Sequence, residues 1–205
     1  EGVLRTAIAG EARFEGARRV RNLFVTTTAD MSNAAWTKSN ISVTTGQSDP
    51  EGGTTAMKLV ESAGASVTPQ ISQTGNCVAG NRTVMWVIAK AAERSWLVIN
   101  NNQGTGGGSI RVWFNLAAGT IGTVTAGGTA AITSIGNGWY LCSVSAVMSN
   151  GSDCVHVYQV TNADGVNTYA GDGTSGIYVW HPQLEDVTGQ TTQTAGEYVS
   201  VGVVQ

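Results

Sequence analysis

From about Asn22 onward, short runs of β-branched and aromatic residues alternate in polarity and end on turn residues. That period-two pattern narrows the possible folds more than any other feature of the chain. In Cys154-Val155-His156-Val157-Tyr158-Gln159-Val160, one side carries Val155, Val157 and Gln159, and the other Cys154, His156, Tyr158 and Val160. The 139–147 run sets Trp139, Leu141, Ser143, Ser145 and Val147 against Tyr140, Cys142, Val144 and Ala146. A one-residue slip would turn every such face over, so the pattern fixes the pairing register. It predicts strands near 36–45, 54–62, 66–74, 83–91, 95–101, 109–116, 130–134, 139–148, 154–161 and 176–185. Gly136-Asn137-Gly138, Asn150-Gly151, Asn162–Gly165 and Gly171-Asp172-Gly173 read as turns, because Gly and Asn accept positive φ. The glycine-rich stretch 101–108 reads as a hairpin loop. Ile88–Arg94 is too short for a free-standing helix and reads as a strand end and turn. Many short strands without intervening helices make an all-β chain, an antiparallel sandwich or barrel.

Composition excludes other classes. Charged residues are 12% of the chain, too few for a coiled coil, and 41% apolar residues with six Trp are too many for disorder. A net charge of -3 argues against a duplex nucleic-acid binder. No apolar run is long enough to span a membrane. No secretory leader opens the chain, so Asn40-Ile41-Ser42, Asn81-Arg82-Thr83 and Asn150-Gly151-Ser152 read as chance glycosylation sequons. Residues 1–21 stand apart. They hold Arg5, Arg13, Arg18, Arg19 and Arg21, five of the eleven basic residues, against Glu1, Glu11 and Glu15. The expected organisation is an extended N-terminal arm (1–21), one sandwich domain (22–187), and a C-terminal extension or linker (188–205). The arm is either a solvated linker or a docking segment for a neighbouring subunit. The odd set Cys77, Cys142 and Cys154 reads as three buried thiols, with a Cys142–Cys154 bridge as the alternative.

Catalytic motifs are missing. The glycines at 104–108 lack the lysine of a phosphate loop, and no Gly-x-Ser-x-Gly elbow occurs. Cys154 and His156 share a strand face but have no orienting third group in the sequence. Glu61, Glu93, Glu185 and Asp186 form no recognisable acid pair. The chain is therefore expected not to be an enzyme and to need no cofactor. Asp164 and Asp172 sit in turns, as Asx turn-formers or as oxygen ligands for a structural calcium ion.

The aromatics point to binding. Trp180 lies in an apolar run and reads as core, and Trp139 follows a tight turn. Trp96 and Trp113 are the better candidates for exposed platforms, and Arg111 shares the face of Trp113. Aromatic faces take sugar rings while polar neighbours set their orientation. The candidate glycan surface is Trp96, Arg111, Trp113, His156 and Tyr158.

Three segments resemble a widespread bacteriophage tail or fibre module. They are Asn22-Leu23-Phe24 with 31–38 (MSNAAWTK), Gly136-Asn137-Gly138-Trp139-Tyr140, and Gly171–Trp180 followed by Gln183-Leu184-Glu185. In the last, His181-Pro182 stands where the pattern has Gly-Ala, and in the second Leu141 stands where Arg is common. The resemblance implies a jelly roll similar to carbohydrate-binding modules, with Trp139 and Trp180 in the core. It implies a virion location after assembly in the bacterial cytoplasm, and a tail-fibre, spike or head-fibre subunit attaching to a host glycan. Other virion subunits, met through the arm, and a homotrimeric assembly are the expected partners. A ligand-free structural subunit and a glycan-cleaving enzyme are the alternatives.

Overall fold

The computed structural model describes residues 20–24, 30–102, 108–125, 127–149 and 154–199. Most of the arm, the tip of the 101–108 loop, the Asn150-Gly151 turn and the alternating end after Val199 lie outside them. Fourteen strands follow in order: β1 (Thr37–Ser39), β2 (Ile41–Gln47), β3 (Ala56–Glu61), β4 (Ala63–Val67), β5 (Gln70–Thr74), β6 (Arg82–Ala91), β7 (Trp96–Asn102), β8 (Ser109–Asn115), β9 (Thr120–Val124), β10 (Gly128–Gly136), β11 (Trp139–Val147), β12 (Val155–Thr161), β13 (Tyr169–Asp172) and β14 (Gly176–Asp186). There is no helix among the described residues.

Two six-stranded antiparallel sheets face each other, ordered β1-β5-β12-β7-β8-β9 and β10-β11-β6-β14-β3-β2, with a small β13-β4 pair beside them. The inner four strands of each sheet, β5-β12-β7-β8 and β11-β6-β14-β3, carry the crossing order of a jelly roll. Alternation places one residue in two between the sheets. There Trp36, Met57, Leu59, Ile71, Met85, Leu97, Ile99, Phe114 and Tyr158 form a dry core. Cys77, Cys142 and Cys154 are buried free thiols, so the Cys142–Cys154 bridge is not formed.

The strand expectations differ in instructive places. The run 36–45 breaks into β1 and β2 at Asn40, whose φ is 51°. Edge strand β9 was not expected, because its Thr/Gly-rich sequence is largely exposed and lacks a buried face. Trp139 and Trp180 are buried, but outside the intersheet core. They belong to a second cluster with Trp86, Val84, Ile88 and Val187 on the outer face of the β11-β6-β14 sheet.

The segment 187–199 covers part of that outer face. Tyr198 packs edge-on against Trp86, ring centroids 6.4 Å apart. Gln183 and Glu185 of β14 tie the segment down. The Gln183 Oε1 accepts from Val199 N at 2.6 Å, its Nε2 donates to Glu197 O at 2.9 Å, and Glu185 Oε1 accepts from Gly196 N at 2.8 Å. The incoming chain meets the same place. Leu23 N donates to Leu184 O at 2.8 Å, and Asn22 Nδ2 donates to Val199 O at 3.2 Å. The expected extension beyond 187 is thus, as far as Val199, part of the packed sandwich.

Candidate functional site

Pairing register decides which expected site residues meet. On β12, β7 and β8, His156 lies opposite Asn101 and Tyr158 opposite Ile99, which in turn lies opposite Val112. This set faces inward. His156 and Tyr158 are fully buried, and the Tyr158 hydroxyl donates to Trp86 O at 2.8 Å. Trp96, Arg111 and Trp113 take the opposite, outer face. The five residues therefore form no common surface. Alternation identified the pairs correctly, but it carries no sign for inside and outside where both faces contain aromatics. Even on the outer face Trp113 is only 3% exposed. The 162–168 loop folds over it, and its Nε1 donates to Val166 O at 3.1 Å. Trp96 is half-buried, against Gly122 and Asp164.

His156 has a cysteine partner, though not Cys154: its Nε2 lies 3.3 Å from Cys77 Sγ. Burial pushes the imidazole down to about 3 and the Cys77 thiol up, so neither is ionised near neutrality. The pair is packing rather than a nucleophile and its base.

Both turn aspartates are occupied by hydrogen bonds within the fold. Asp164 accepts from Thr123 N at 2.7 Å and from the Thr123 hydroxyl, pinning its loop to β9. Asp172 accepts from the hydroxyl and N–H of Ser175 and from Thr174 N, which hold its carboxyl well below the usual range. Among the described residues no three His, Cys, Asp or Glu side chains gather as a metal site.

The carboxylates also have structural partners. Glu61, buried on β3, takes a two-pronged contact from Arg94, Nε to Oε2 at 2.8 Å and Nη2 to Oε1 at 2.5 Å. It also accepts from the Tyr169 hydroxyl and from Asp172 N. Burial alone would raise the Glu61 pKa, but these donors together bring it below its ordinary value. The 171–176 run is thus anchored by its backbone to a buried charge. A Cβ on Gly176 would collide with the Leu59 carbonyl, and one on Gly171 with that of Ser62. Glu93 pairs with Lys58, Glu185 accepts from Trp86 Nε1 at 2.5 Å, and Asp186 accepts from Asn81.

One open concavity lies elsewhere, on the outer face of the β11-β6-β14 sheet. It is a cleft of about 190 Å³ lined by Gln47, Ser48, Lys90, Trp139 and Tyr178. Its floor is a cross-strand row. Trp139 of β11 lies opposite Lys90 of β6, and Lys90 opposite Tyr178 of β14. The Trp139 and Tyr178 rings are 6.4 Å apart and inclined at 48°, and Lys90 Nζ lies 5.9 Å from the Trp139 ring centre. The hairpin Gly136-Asn137-Gly138, with φ of 96°, 53° and 78°, starts β11 so that the buried Trp139 ends the floor. A bulge between Thr44 and Gln47, with Gly46 at φ 74°, swings Gln47 and Ser48 in as the far wall. Sequence reasoning missed Lys90, Tyr178, Gln47 and Ser48. The five residues come from four remote segments, β2 with its end, β6, β11 and β14, and only the register brings them together.

No family model matches the chain, and neither does any curated protein. Among solved structures, the crystal structure of the flagellar cap protein FliD from Escherichia coli aligns at 17% identity with a TM-score of 0.22. The alignment covers 84% of this chain and 56% of that one, which holds the D1-D2-D3 domains, so the chain spans little more than half of that solved chain.

Proposed function

We propose that the chain is a bacteriophage virion subunit, of a tail fibre, spike or head fibre, whose jelly roll recognises a host-surface glycan without cleaving it. The observation that carries this reading is the cleft at Trp139, Lys90 and Tyr178. The half-buried Tyr178 ring, backed by the buried Trp139, offers an apolar surface to a sugar, and an amide, a hydroxyl and an ammonium stand around it. Two of the segments that resemble the phage module, 136–140 and 171–180, supply the two rings. The non-catalytic part of the reading is supported by Glu61, Glu93, Glu185 and Asp186, each held by a structural donor. A fibre carrying several copies, such as a trimer, multiplies a weak single-site affinity through avidity.

A glycan array probed with the chain and with Tyr178→Ser tests it. Tyr178 is half-buried at the edge of the outer cluster, and a thermal melt checks that Tyr178→Ser keeps the fold. Binding that Tyr178→Ser abolishes and Trp96→Ala leaves unchanged supports the cleft. Binding lost only in Trp96→Ala would move the site to the other sheet, and no binding to any glycan would remove the reading. The ligand-free structural subunit has its own support. Ile121 and Val124 of β9 and Ile135 of β10 are 38%, 42% and 42% exposed along neighbouring sheet edges, a surface suited to subunit contact.

A further inference from the structure

The outer row that floors the cleft continues past Tyr178 to Lys58 of β3 and Thr44 of β2. It thus contains two lysines, and they are treated differently. Lys58 Nζ sits 2.7 Å from Glu93 Oε2, so its charge is met within the fold. Lys90 is half-buried, between Trp139 and Tyr178, and among the described residues no carboxylate comes within ion-pair distance of it. The nearest acidic turn does not answer it. Asp49, next to Ser48, spends both oxygens on the 49–55 turn, accepting from Gly53 N, Thr55 N and the Thr55 hydroxyl. Those donors, the Thr55 N–H foremost, pull its pKa down to about 2.

A half-buried ammonium in a cleft beside a tyrosine ring, with no carboxylate to meet it, favours an anion. The cleft walls decide its kind. The Tyr178 ring suits the C–H face of a pyranose, and the Lys90 ammonium is a compact point charge that pairs with a single carboxylate. Resting on the glycan reading above, we infer that this cleft selects acidic saccharides, with the sugar carboxylate on Lys90 and the ring against Tyr178.

The test uses the full chain, titrated under NMR with tetragalacturonate and with its methyl ester, which keeps the rings and removes the charge. The acid is expected to bind about 10-fold more tightly than the ester at low salt, with the preference shrinking as salt rises. Lys90→Met should level the two while leaving ester binding in place. Lys90→Arg should restore part of the preference, and Lys58→Met should not disturb it. Equal affinities for acid and ester in the unaltered chain, or a preference that survives Lys90→Met, would overturn the assignment of the carboxylate to Lys90 while leaving a neutral-glycan site standing. Binding of neither oligomer, repeated with sialyllactose and lactose, would overturn both readings.

Discussion

Replacing Arg94 by Met isolates a buried charge. Glu61 has no side-chain exposure, whereas Arg94 keeps 22%. Removing the guanidinium therefore leaves a carboxylate inside the protein with only Tyr169 and the Asp172 N–H to hold it. Breaking a buried pair from this side costs about 3–5 kcal/mol. For a chain of this length that lowers Tm by roughly 6–20 °C. The opposite change, Glu61→Gln, frees an arginine that can turn toward water, and should cost only about 1–2 kcal/mol. The double variant should cost much less than the sum, since the charge that made Arg94→Met expensive is gone. The pH dependence has a definite sign. The folded pKa of Glu61 is lowered, so its stabilising contribution is present above the unfolded carboxylate pKa and fades as pH falls through the folded value. In Arg94→Met, burial acts without the guanidinium and the carboxyl protonates more readily, so the deficit against the parent should narrow between about pH 7 and pH 4. Urea denaturation of the four proteins at several pH values measures all of this. Equal costs for the two single variants, or an Arg94→Met deficit below about 1 kcal/mol at neutral pH, would refute the buried-charge argument.

Other outcomes are equally specific. His156 titrates near 3 when folded and near the ordinary histidine value when unfolded, so it contributes stability that is full above about pH 6.5 and lost progressively toward pH 3. Denaturation of His156→Leu should show a flatter acid limb than the parent, and an unchanged limb would count against the buried neutral imidazole. His181 holds φ at 51° while stacked between Trp180 and Tyr198, centroids 3.5 and 3.8 Å away. His181→Gly should therefore be more stable than His181→Ala by about 1 kcal/mol, the left-handed penalty of a Cβ, as thermal melts would show. Gly176→Ala should cost about 3 kcal/mol or more, because the new methyl meets the Leu59 carbonyl, and a neutral result would contradict the packing there. The three thiols should react with a disulfide reagent only on unfolding, and rapid labelling of the native chain would contradict their burial.

Alternation made the sheets legible. Cys154–Val160 and 139–147 lie in strands with the expected two faces, and the turn glycines close them where Gly and Asn runs stand. Orientation was not legible. Nothing local tells that His156 and Tyr158 look inward, where their partners are Cys77 and the Trp86 carbonyl. Nor does the sequence say that Trp139 and Trp180 lie outside the sandwich, since the cover that buries this face is a strandless stretch beyond 187. The cleft was hidden for a related reason. Lys90 ends an apolar strand and reads as a surface charge until the register sets it between two rings. His181, in contrast, departs from the glycine of the phage pattern at a left-handed position, and the stack with Tyr198 explains how a histidine is tolerated there.

The meeting of Asn22, β14 and Val199 has a mechanical meaning. Tension applied between the segment before Val20 and the segment after Val199 runs through a few side-chain bonds at Asn22 and Gln183, and the two sheets are bypassed. When those bonds part, residues 187–199 can peel away and pay out roughly 45 Å of chain before β14 itself is pulled. The jelly roll, with Lys90 on β6 away from these bonds, keeps its shape during that extension. A filament built of such units would lengthen at its joints while the faces that meet a surface stay folded.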